Sequence, residues 1–158
     1  MHTTGVYHVG INCRNLERSL AFYNLLGFEE ILDFGRLEGD DVDRILGRSG
    51  CRARAKLIRL GDDPRTSHID LLEWDPDDDQ RPASRVGDVG MVRMCLYTRD
   101  IWADYGELVA NGVKVYSEPQ SLGSDGGPAS TYVVCFEDPD GTILELMQVV
   151  RSPAPQAG

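Results

Sequence analysis

"YHVGINCRNLERSLAFYNLLGF", Tyr7 to Phe28, and "VRMCLYTRDIWADYGELVANGV", Val92 to Val113, decide the fold, because the second repeats the first. Setting His8 on Arg93 gives an offset of 85. Asn15 then falls on Asp100, and Gly27 on Gly112. In each copy a strand-like run reaches an Asn or Asp suited to N-capping a helix. Twelve residues later stands a glycine suited to ending it. The helical faces agree: Leu16, Leu20 and Tyr23 in one copy, Ile101, Tyr105 and Leu108 in the other, at i, i+4, i+7.

The far ends of the copies match as well. "DPRTSHIDLLEW" begins at Asp63 and "DPDGTILELMQV" at Asp138, an offset of 75. Each opens on a D-P turn and continues as an apolar strand, and Asp70 falls on Glu145. The offset shrinks because the first copy carries an insertion, placed within "RLEGDDVDRILGRSG", Arg36 to Gly50. That insertion reads as a short helix at Asp41 to Leu46. Each copy is therefore strand, helix, strand, strand, strand. Strands are expected near 5–13, 28–34, 52–60 and 67–74, then near 90–98, 113–117, 130–137 and 142–149. The modules span 1–74 and 90–150, joined by a polar linker at 75–89 with two prolines. The tail at 151–158 reads as disordered.

Composition narrows the function. The 158 residues are 41% hydrophobic and 27% charged, an ordinary globular balance. A formal net charge of -10 argues against nonspecific binding to nucleic acid or to an anionic membrane. No apolar run approaches a membrane span, and the start lacks a signal-peptide pattern. Cys13, Cys51, Cys95 and Cys135 are scattered without a C-x-x-C pair, which fits a cytoplasmic protein with free thiols. There is no Ser-His-Asp pattern, no phosphate-cradling glycine loop and no basic-aromatic strip.

The two quoted stretches "HVGINCRNLERSLAFYNLLGF" and "FEDPDGTILELMQ" resemble the vicinal oxygen chelate superfamily, the glyoxalase/bleomycin resistance/dioxygenase family. The resemblance covers nearly all of residues 5–149. It implies an α+β fold of two tandem βαβββ modules whose curled mixed sheets enclose a cavity. In metal-dependent members, one residue on the first strand and one on the last strand of each module point inward. Carried over, these are His8, Asp70, Arg93 and Glu145. The family uses His, Gln or Glu types there to bind a divalent ion (Zn, Ni, Mn or Fe); Arg93 departs from that pattern, standing where those families have histidine.

Arginine stays protonated and has no lone pair to give a metal. Three outcomes stand open. Arg93 pairs with Glu145 or Asp70 and there is no metal. A metal is held by fewer ligands, His8, His68 and Glu145, since His68 shares a strand face with Asp70. Or Arg93 binds an anionic substrate group with its forked donors. Strand parity puts Asn12, Cys95 and Tyr97 on the face of His8 and Arg93, while Leu72 and Trp74 follow Asp70 and Met147 follows Glu145. These would line a site for a small organic molecule. Glu145 or Asp70 is the candidate general base, and Arg93 the candidate oxyanion holder.

The resemblance implies two classes of function. One is a lyase, isomerase/epimerase or dioxygenase-type enzyme acting on a small oxygenated molecule. The other is a metal-free protein that sequesters an antibiotic. Family members of either kind commonly work as homodimers.

Overall fold

A computed structural model describes all residues except 1, 4, 64–65, 76–82, 123–128 and 152–158. The chain divides into two compact units, Met1–Arg81 and Pro82–Gly158.

The first unit holds β1 (His8–Cys13), α1 (Leu16–Leu25), β2 (Phe28–Glu38), α2 (Asp40–Leu46), β3 (Arg52–Leu60) and β4 (His68–Trp74). Its sheet has the order β1-β4-β3-β2, with β1 and β4 parallel and the other pairs antiparallel. The second unit holds β5 (Arg93–Tyr97), α3 (Ile101–Ala110), β6 (Gln120–Leu122), β7 (Ala129–Glu137) and β8 (Ile143–Arg151). Its order, β5-β8-β7-β6, is the same, again with one parallel pair, β5 and β8. The duplicated α+β fold read from the sequence is therefore present, and the insertion in the first copy folds as α2.

Both copies start their helices in one way. The Asn15 side chain accepts the Arg18 amide at 2.7 Å, and Asp100 accepts the Ala103 amide at 3.1 Å. Gly27 and Gly112 follow the helices with φ of 86° and 71°, a region other residues rarely enter. A further pair of equivalents ties each helix start to its sheet. Glu73 accepts the Leu16 amide at 2.7 Å, and Gln148 accepts the Ile101 amide at 3.1 Å. Leu16 to Ile101 is the offset of 85, and Glu73 to Gln148 the offset of 75. Each acceptor satisfies an amide that a helix leaves without an internal partner.

Alternation divides each sheet into two faces. In the first unit, Ile11, Ile58, Ile69 and Leu71 are buried with Leu16 and Tyr23 of α1. In the second, Val134, Phe136, Leu144 and Leu146 are buried with Ile101 and Leu108 of α3. The residues of opposite parity leave a second, helix-free face on each sheet, and the candidate site residues lie there.

One strand differs from expectation. The stretch 113–117 makes only an isolated bridge, Val115 with Phe136, held by Tyr116 N–H to Cys135 O and Glu137 N–H to Lys114 O. The V-K-V-Y alternation is real, but Pro119 lacks an N–H and cannot extend a ladder. Pairing resumes at Gln120, so β6 is Gln120–Leu122. The D-P turn of the second copy is built on Asp138, whose carboxylate accepts the amides of Asp140 and Thr142. Pro64 of the first copy lies outside the described residues, as do the centre of the linker at 76–82 and the tail at 152–158. No helix among the described residues is long and apolar enough to cross a membrane. All four cysteines are free.

Candidate functional site

The four carried-over residues fall two to each unit, in one register. Asp70 lies opposite Gly10 in the β1–β4 ladder, and Glu145 lies opposite Cys95 in the β5–β8 ladder. His8 and Arg93 stand two residues before those partners, on the same face. The alignment of His8 with Arg93 and of Asp70 with Glu145 is thus a structural equivalence.

In the first unit, His8 and His68 are direct ladder partners, with Asp70 one step along β4. His68 is buried, and its Nδ1 lies 3.0 Å from the Tyr7 carbonyl. A carbonyl only accepts, so Nδ1 carries the hydrogen of this contact. Tyr7 also stacks on His68, with ring centres 4.8 Å apart. Asp70 has a buried Oδ1 with no hydrogen-bond partner. Burial pushes its pKa above the usual carboxylate range, and the charge of His8 offsets part of that rise. Farther along the same face, Trp74 Nε1 donates to Asn12 Oδ1 at 2.8 Å. Leu72 is half-buried between Asp70 and Trp74.

In the second unit, Glu145 is buried and its charge is met by Arg93. Arg93 Nε lies 3.1 Å from Glu145 Oε2, with the side chains 48% and 9% exposed. The register sets a cysteine on each side of Glu145: Cys95 on β5 and Cys135 on β7. Cys135 Sγ donates to Glu145 Oε2 at 3.7 Å. Burial, then the hydrogen bond to Glu145 and its charge, push the Cys95 thiol up to about 11. Cys135 is raised by burial and by Glu145 as well. Both thiols are therefore held toward the protonated form. Met147 is half-buried beyond Glu145, and Tyr97 is exposed at the end of β5.

The family profile of the Glyoxalase/Bleomycin resistance protein/Dioxygenase superfamily matches residues 5–146. The chain belongs to this superfamily. No curated protein matches it. Among solved structures, it is similar to a glyoxalase family protein from Bacillus cereus, with a TM-score of 0.76 at 15% identity, covering 95% of this chain and 99% of that one. It is similar to a superfamily member from Sphaerobacter thermophilus, with a TM-score of 0.65 at 23% identity, covering 94% and 99%. It is also similar to a glyoxalase I variant from Zea mays, with a TM-score of 0.66 at 18% identity, covering 95% of this chain and 46% of that one. At these identities the likeness concerns the fold.

The superfamily's divalent ion does not fit the side chains as they stand. Among the described residues, no three His, Cys, Asp or Glu side chains gather as metal ligands do. Glu145 already carries Arg93, and a dication beside a guanidinium is repelled. Sequence reasoning missed the two thiols as a pair: Cys135 lies on β7, and only the β7–β8 register reveals that it faces Glu145.

Proposed function

We propose that this superfamily member acts on a small oxygenated organic anion without a divalent metal. The observation that carries this reading is the Arg93–Glu145 pair. Glu145 engages Arg93 through Nε, and none of the described residues takes the two terminal nitrogens. Half of the side chain is exposed, so those nitrogens can donate to a carboxylate or a developing oxyanion. Glu145 holds the guanidinium in place and lowers the cost of burying it.

Asp70 is the proton acceptor in this reading. Its unpaired, desolvated carboxylate binds a proton more tightly than an ordinary aspartate, which suits removal of a proton alpha to a carbonyl. This chemistry is that of a lyase or an isomerase/epimerase. Within the first unit Asn12 and Trp74 share the face of Asp70, and within the second Cys95, Tyr97 and Met147 share the face of Glu145.

A second reading is sequestration. The helix-free face of the second unit carries Cys95, Cys135, Val133 and Met147 around one charge pair, a soft surface suited to holding an apolar ligand without reaction. The test screens small oxygenated acids by thermal shift and follows each binder by NMR for turnover. Turnover in the unmodified protein, with binding lost in Arg93→Ala, supports the enzyme. Binding without turnover supports sequestration. Binding unaffected by Arg93→Ala sinks both.

The homodimer belongs here too. β2 is an edge strand, eleven residues long, that exposes Ile31, Leu32 and Phe34. Such an edge invites pairing with another chain. Light scattering coupled to size exclusion tests it: a dimer that Phe34→Lys makes monomeric supports β2 as the contact.

A further inference from the structure

The insertion is the part of the first unit that the second lacks, and it holds one arginine in a fixed place. α2 ends at Gly47, with φ of 64°. The Asp43 carboxylate accepts the amides of Gly50 at 2.6 Å and Cys51 at 2.7 Å. Between them, Arg48 is pinned at both backbone groups: its N–H donates to Asp43 O at 3.2 Å, and its carbonyl accepts from Cys51 Sγ at 3.0 Å. The Arg48 guanidinium carbon sits 5.4 Å from the centre of the Trp74 ring. Trp74 is itself fixed by its hydrogen bond to Asn12.

The guanidinium has no ion pair or hydrogen bond among the described residues, although the chain has 26 acidic residues against 16 basic ones. Arg36, Arg44 and Arg54 of the same unit all pair with carboxylates. Stacking on an aromatic ring orients a guanidinium while leaving its N–H edge open. An arginine ordered before the ligand arrives also loses less entropy on binding.

We propose that Arg48, stacked on Trp74, is an oxyanion subsite that takes a carboxylate or phosphate group of a ligand. Trp74 and Asn12 share the helix-free face with His8 and Asp70. Trp74 stands four residues along β4 from Asp70, about 13 Å in an extended strand. The subsite therefore grips a charged handle remote from the proton acceptor. It does not depend on the role proposed for Arg93.

The chain has two tryptophans, so Trp102→Phe leaves Trp74 as the only one, read by selective excitation of tryptophan over tyrosine. Inorganic phosphate and, separately, acetate are titrated at constant ionic strength. At least one should change Trp74 emission saturably, and the tighter of the two identifies the group. Arg48→Ala should weaken that Kd tenfold or more. Arg48→Lys should recover only part of it, because an ammonium lacks the fork. Asp43→Ala, which frees the loop but keeps the guanidinium, should weaken binding severalfold. No saturable response to either anion, or a response that survives in folded Arg48→Ala, overturns the proposal.

Discussion

Arg93 Nε lies 3.1 Å from Oε2 of Glu145, at the position equivalent to His8 in the first unit. A cation stands in the second unit where the first has His8, and the carboxylate beside it is buried. The two residues form one ion pair, and they should behave so when changed.

Removing Arg93 leaves Glu145 buried and uncompensated. Arg93→Ala should destabilise the protein by about 2 kcal/mol, below the full value of a buried pair because Arg93 is half exposed. Glu145→Gln leaves the more exposed partner and should cost less. The double variant, Arg93→Met with Glu145→Gln, should recover most of the loss. Urea denaturation checks the cycle, and additive losses would show that the two do not act as a pair.

Asp70 gives a pH dependence of known sign. Its folded pKa is raised, so between the unfolded and folded values the folded state binds more protons than the unfolded one. Its contribution is most favourable below the ordinary aspartate range and is lost as pH rises through the folded pKa. Asp70→Asn should therefore gain on the order of 1 kcal/mol at neutral pH, roughly 2–4 °C in Tm, with the gain fading in acid. Melting curves from pH 3 to pH 8 test this. A constant difference across that range would mean that Asp70 titrates normally.

Cys95 should be slow to alkylate. A thiol raised from 9.0 to about 11 has about a hundredfold less thiolate at pH 7.5. Glu145→Gln should speed the reaction only in part, since burial is the larger cause. Intact-mass measurement with iodoacetamide gives the rates. Rapid labelling of Cys95 in the unmodified protein would contradict a raised thiol.

Glu73 and Gln148 should matter alike, since each closes the first amide of the helix in its own unit. Gln148→Ala should cost about 1 kcal/mol, and Glu73→Ala somewhat more because Glu73 also pairs with Arg54. Chemical denaturation measures both losses. Two unchanged midpoints would show that these contacts are not formed in solution.

Most of the fold was legible because duplication supplied two readings of every element. Caps at Asn15 and Asp100 and glycines at Gly27 and Gly112 bounded both helices, and local chemistry at those positions is strong enough to be read directly. The strand expected at 113–117 failed because alternation reports which side chains are buried. It does not report whether the backbone finds a ladder, and Pro119 prevented one. In the candidate site, the repeat paired His8 with Arg93 and Asp70 with Glu145, and the family resemblance made them candidates. It left open which of them Arg93 would meet, since that depends on side-chain geometry across a ladder. Arg48 was hidden for the opposite reason: it lies in the insertion, where no second copy exists for comparison.

Metal content tests the central claim most directly. Untagged protein is prepared with Zn, Ni, Mn and Fe supplied, then measured by elemental analysis and by thermal shift with each ion. The account predicts no stoichiometric metal and no stabilisation in the unmodified chain, with divalent binding appearing or strengthening in Arg93→His. One equivalent of metal bound to the unmodified protein, and lost in His8→Ala, would contradict it.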